Sequence, residues 1–139
     1  MQNENEFDYS FQKLSSAFDR LKEGAANSID ELDKDGVIQR FEFTFELLWK
    51  TLKIFLEGEG ILCRSPKDCF VEAFKYGLIE DETGFLDMLD DRNKKSHIYN
   101  KEESEGIFKK IKEKYVNEIE KLLVRISNYK QPDLPEENG

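Results

Sequence analysis

The chain has 139 residues, with 21 Lys+Arg against 30 Asp+Glu for a formal net charge of -9, and a single histidine. That length predicts one domain, spanning 1–130, able to bury a core without metal or disulfide staples. A pI of about 4.8 argues against broad, sequence-independent binding of DNA or RNA, which depends on many lysine and arginine contacts to phosphate.

Phe7, Phe11, Leu14, Phe18, Leu21 and Ala25 alternate four and three apart, the seam of an amphipathic helix over about 7–28. After Asp33-Lys34-Asp35-Gly36, which reads as a turn, the seam resumes at Ile38, Phe41, Phe45, Leu48, Leu52 and Phe55. Phe41, Phe45 and Trp49 at this spacing are expected to be core rather than a base-stacking platform. Gly58 and Gly60 end this second helix. Ser65-Pro66 reads as an N-cap with proline in the first turn of a short third helix, stopped by Gly77. Cys63 and Cys69 are expected to be reduced thiols filling core or near-surface space, because no histidine lies at zinc-ligand spacing from them.

Thr83 is expected to cap a fourth helix carrying Phe85, Leu86, Met88 and Leu89, which leads into the charged stretch Asp90–Tyr99. Asn100 followed by Glu103 predicts a capped last helix, with Ile107, Phe108, Ile111, Tyr115, Ile119, Leu122, Leu123 and Ile126 as its apolar face. The tail 131–139, with two prolines and no aromatic residue, is expected to be disordered. The pattern is therefore that of an all-α, up-and-down antiparallel bundle of four to five helices. A 12% aromatic content leaves apolar surface for a partner chain, so a homodimer is expected. A mean hydropathy of -0.70, with no apolar run of about 18 residues, predicts no membrane span. The acidic start lacks a signal-peptide pattern, which makes the cytoplasm the expected compartment.

Phosphate-cradling glycine loops, nucleophile elbows and zinc-spaced ligand pairs are all missing from the sequence. The chemistry concentrates instead in Arg92-Asn93-Lys94-Lys95-Ser96-His97-Ile98-Tyr99. If the fourth helix extends through Arg92, Asn93 and Lys95, Arg92 and Ser96 share a face, and His97 can reach the same side where the helix frays or turns. An arginine fork can hold two phosphate oxygens, a histidine can move a proton near neutrality, and asparagine or tyrosine can orient either. RNA is the natural substrate for such a set, since its 2′-hydroxyl is a built-in nucleophile that needs no metal. One histidine cannot serve as both base and acid in a single step. Tyr99, a lysine or water completes the pair, or a two-fold dimer supplies a second His97. By spacing alone, a lone histidine between helices is more often a solvated or capping residue than a catalyst, and Lys94, Lys95 and Lys101 form a basic island of the kind that is usually wetted surface.

Two stretches carry a family resemblance. Gln39-Arg40-Phe41-Glu42-Phe43-Thr44-Phe45-Glu46-Leu47-Leu48-Trp49-Lys50-Thr51-Leu52-Lys53 resembles the second-helix signature of nucleotidyltransferase substrate-binding proteins, and Asp91–Tyr99 resembles their Arg-x4-His-x-Tyr segment. These proteins belong to the HEPN superfamily. The resemblance implies a dimer or higher homo-oligomer made alongside a minimal nucleotidyltransferase. It further implies a toxin–antitoxin pair in which the HEPN protein is a metal-independent RNase. Arg92 and His97 would then be the catalytic pair, with Asn93 and Ser96 supporting them and Lys94 and Lys95 touching phosphate. Tyr99 would accept AMP from the partner, placing bulk and negative charge two residues from His97. No cofactor and no metal are implied. The competing expectation is a non-catalytic adaptor that presents substrate or nucleotide to the partner enzyme, with the Arg92–Tyr99 segment as docking surface.

Overall fold

Asp30 and Asp33 close on each other in the computed structural model. The Asp30 side chain accepts the Asp33 backbone N–H at 2.8 Å, and the Asp33 carboxylate accepts the Asp30 N–H at 3.5 Å. This reciprocal cap satisfies donors that a helix start leaves unpaired. It starts α2 (Glu31–Gly58), so Asp33–Gly36, read above as a turn, lies inside the helix. Before it, α1 (Gln2–Asn27) begins earlier than the Phe7 seam, since no proline or glycine stands upstream to stop it. The structure describes residues 2–94 and 100–130, with side chains from Glu6 onward. The tail expected to be disordered, 131–139, lies outside them.

Ser65 caps α3 (Pro66–Tyr76) by accepting the Asp68 N–H at 3.1 Å, and Gly77 ends it with φ 90°, the left-handed conformation that a side chain disfavours. Cys63 and Cys69, expected as free thiols, are instead joined in a disulfide with their Cα atoms 5.1 Å apart and both residues buried. The folded loop brings them within bonding range, which their spacing did not reveal. The bond ties the α2–α3 connection to the first turn of α3.

α4 (Glu82–Asn93) is capped by Asp81, not by Thr83 as expected: the Asp81 carboxylate accepts the Gly84 N–H at 2.9 Å. A Cβ at position 84 would stand 2.6 Å from Asp81 Oδ2, so glycine allows the cap to close. The Asn100–Glu103 cap forms as expected and starts α5 (Lys101–Lys110). α5 continues through a π-helical turn, Ile111–Tyr115, into α6 (Val116–Lys130). Among the described residues there is no strand, and no helix is long and apolar enough to cross a membrane.

α2 is the centre of the bundle, packed along α1 and against α3, α4 and α5. Its Phe41, Phe45, Leu48, Leu52 and Phe55 meet the α1 seam of Phe7, Leu14, Phe18 and Leu21 in one core with Ile111, Ile119 and Ile126. Each such side chain contributes about 1.5–3 kcal/mol on burial. The polar groups at this seam are satisfied. Ser10 and Thr51 share a hydrogen bond at 2.5 Å, and Thr44 donates to the Ala17 carbonyl at 3.4 Å.

Trp49, expected in the core beside Phe41 and Phe45, is only partly buried and packs on the core's edge. Phe70 is fully buried, its ring 5.6 Å from Phe45 and 5.3 Å from Phe85. Phe70→Ala should therefore cost about 3–5 kcal/mol in urea denaturation, and Trp49→Ala should cost less; the reverse order would contradict this packing.

Candidate functional site

α4 reaches Arg92 and Asn93 and ends there, with Lys94 as its C-cap; the extension through Lys95 on which the shared face of Arg92 and Ser96 depends falls outside the described residues. Arg92 leans toward α2. Its guanidinium carbon lies 5.5 Å from the centre of the Phe45 ring, its Nη2 is ion-paired with Glu46, and its Nη1 donates to Asn93 Oδ1 at 3.1 Å. The Arg92 side chain is 18% exposed and that of Glu46 28%. A partly desolvated pair of this kind is screened less than a surface pair and confines the guanidinium to a narrow range of positions.

Glu46 is itself held from its own helix. Trp49 Nε1 donates to its Oε1 at 3.4 Å, and Lys50 Nζ lies 3.7 Å from the same oxygen. The edge position of Trp49 thus has a polar cause: its indole N–H finds a carboxylate there. Arg92 and Asn93 of the predicted set are brought together here. Lys95, Ser96, His97 and Tyr99 lie outside the described residues.

The residue before Arg92 is the surprise. Asp91 is 2% exposed, and its carboxylate accepts from the Tyr115 phenol at 2.5 Å and lies 2.9 Å from Lys110 Nζ and 3.6 Å from Lys94 Nζ. A buried charge is tolerated only when paired and hydrogen-bonded, and this one is both. Lys94, expected to touch substrate phosphate, is thereby turned partly toward Asp91. Lys101 pairs with Glu31 at 2.9 Å, and that carboxylate raises its pKa. Among the described residues, no group of three His, Cys, Asp or Glu converges as metal ligands would.

Tyr115 reaches Asp91 because the helix widens beneath it. The Val116 N–H donates to the Ile111 carbonyl five residues back, the signature of a π turn. Tyr115 is fully buried, and Phe41 stacks against it with ring centres 5.4 Å apart. Burial first, then Asp91, with Asp87 and Asp90 adding, hold the phenol's pKa well above its ordinary value, so it remains a donor.

Glu46, Asp91, Lys110 and Tyr115 were not among the sequence candidates. A signal for the π turn did exist. Ile107, Ile111, Tyr115 and Ile119 advance in steps of four, and at about 100° per residue each step drifts about 40° off an α-helical face. One wide turn takes up that drift. The α1 seam, alternating four and three, needs no such correction.

A family model described as nucleotidyltransferase substrate binding protein like matches residues 4–128. A Haemophilus influenzae protein named as a probable ribonuclease, HepT, is 35% identical over 81 residues, 55% of this chain and 56% of that one. The chain thus matches little more than half the length of that relative. A crystal structure of a Thermus thermophilus protein superposes with a TM-score of 0.76 at 36% identity, covering 81% of this chain and 98% of that one. A Haemophilus influenzae structure superposes with a TM-score of 0.61 at 25% identity, covering 88% of this chain and 98% of that one. It is described as the fold of a substrate-binding domain of a nucleotidyltransferase.

Tyr115→Phe removes one donor from a buried carboxylate and should cost about 1–3 kcal/mol at neutral pH. The folded protein holds the Tyr115 proton more tightly than the unfolded chain does. The phenol's contribution is therefore complete below the unfolded tyrosine value of about 10 and is lost as pH rises above it. The gap in urea midpoint between wild type and Tyr115→Phe should accordingly hold steady up to about pH 9 and close only as the pH rises above about 10; a gap that stays constant above that pH would contradict the assignment.

Proposed function

Because the chain belongs to the nucleotidyltransferase substrate binding protein like family, we propose that it acts beside a minimal nucleotidyltransferase as a metal-independent endoribonuclease, the toxin of a toxin–antitoxin pair silenced when the partner transfers AMP to Tyr99. The observation that carries this reading is Arg92. It is an arginine delivered by the last turn of α4, partly desolvated and oriented by Glu46, five residues before the chain's single histidine. The named ribonuclease among its relatives supports the same reading.

The reaction is transesterification. The RNA 2′-oxygen attacks the adjacent phosphorus and gives up its proton to a base, while the bond from phosphorus to the 5′-oxygen breaks and that oxygen takes a proton from an acid. His97 fills one of these roles, and a second copy of His97, Tyr99, a lysine or water fills the other. Arg92 neutralises the charge that grows on the non-bridging oxygens. A homodimer suits this division of labour, and apolar side chains are free to build one: Phe43 and Leu32 stand exposed on α2. Adenylylation of Tyr99 would put a phosphate and a nucleoside where the RNA phosphate must enter.

The adaptor reading has its own support. Arg92 is paired with Glu46, both Lys94 and Lys110 face Asp91, and the chain's net charge is -9, all of which lower the pull on a polyanion. In that case the segment presents substrate or nucleotide to the partner transferase without cleaving RNA.

Incubation with RNA in EDTA separates the two. Wild type should cleave, and Arg92→Ala and His97→Ala should each lose about 100-fold or more in rate; equal cleavage by His97→Ala would sink the catalytic role. Incubated with the partner transferase and ATP, wild type should gain the mass of one adenylyl group and stop cleaving, while Tyr99→Phe should gain no such mass. If the same variants change partner affinity in pull-downs and no protein form cleaves RNA, the adaptor reading stands instead.

A further inference from the structure

The contacts that orient Arg92 from α2 presuppose that the last turn of α4 already faces α2. Neighbouring residues on a helix point about 100° apart, so whatever fixes the side chain at 91 also fixes the direction of the side chain at 92. Asp91 is fixed from a different direction, by Tyr115 in the π turn and by Lys110 at the end of α5. A rotation of α4 in either direction would pull the carboxylate off its phenol and off Lys110, two close contacts that a buried charge gives up only at a cost. The phenol in turn is prevented from following, because its ring is stacked on Phe41 and wholly buried.

We propose that Asp91 and Tyr115 are positioning residues for Arg92. The buried Tyr115–Asp91–Lys110 network sets the rotational phase of the last turn of α4, and through it the place where the guanidinium meets a substrate phosphate. The π turn is the device that makes this possible, since it presents Tyr115 to α4 while Ile111 and Ile119 keep their places in the core. Lys110 has a second effect. It balances the Asp91 charge, which would otherwise repel a phosphate one residue away from Arg92.

This role rests on reading Arg92 as the phosphate-binding arginine of a ribonuclease, so the test carries a readout that does not need RNA. The Arg92 Nε–Hε signal in a nitrogen–proton spectrum is assigned by its loss in Arg92→Lys. In wild type it should be displaced from that of free arginine. In Tyr115→Phe, which keeps the ring and removes only the donor, it should move toward the free value. In the same variant kcat on RNA should fall about tenfold, with KM within twofold. If Tyr115→Phe proves unfolded by circular dichroism, Lys110→Met gives the same two readouts. An unmoved Arg92 signal in a folded variant overturns the positioning role, whatever RNA does. A signal that moves in a protein whose wild type cleaves no RNA upholds the positioning and overturns the ribonuclease reading alone.

Discussion

A carboxylate sealed inside a helical bundle is the constraint around which the end of this molecule is organised. Asp91 is ionisable, almost inaccessible, and held between a phenol and an ammonium group from a different part of the chain. Removing either partner would strip a buried carboxylate of one of its close contacts, which is costly where water cannot replace it, so the three groups meet in one geometry. Other features answer to that requirement. The last helix takes a π turn to bring Tyr115 into range, Phe41 stacks on the phenol ring, and α4 is fixed in rotation, with Arg92 turned onto Phe45 and Glu46.

The site shows how an acidic protein can hold cationic chemistry. Among the described residues, Arg92 is paired with Glu46, Lys94 and Lys110 with Asp91, and Lys101 with Glu31. Such pairing keeps the basic groups oriented and prevents their mutual repulsion from loosening the turn. On the ribonuclease reading proposed above, a phosphate would meet a guanidinium already held in place.

Much of the scaffold was legible in the residues. Three- and four-residue apolar spacing located the long helices, and Ser65-Pro66, Gly77 and Asn100–Glu103 marked boundaries that the structure reproduces. The misreadings have local causes. Asp33–Gly36 carries turn-forming residue types, but Asp30 and Asp33 form a reciprocal cap that begins the helix before them. Thr83 can cap a helix, but Asp81 reaches the Gly84 N–H first because glycine leaves it room. Trp49 has the spacing of a core residue, yet its N–H needs a partner and finds Glu46 at the edge.

The sequence by itself determined the fold class, the amphipathic faces, most helix ends and the candidacy of Arg92 and Asn93, because these depend on residues within one or two turns of each other. Only the tertiary structure decided which distant groups complete the site. Glu46 stands 46 positions from Arg92, and Tyr115 stands 24 from Asp91. Whether two such residues touch depends on how whole helices pack, and that is settled by burial of the common core rather than by any local pattern. The same holds for the Cys63–Cys69 bond, which needed the path of the folded loop. Local chemistry named the arginine, and helix packing gave it a direction.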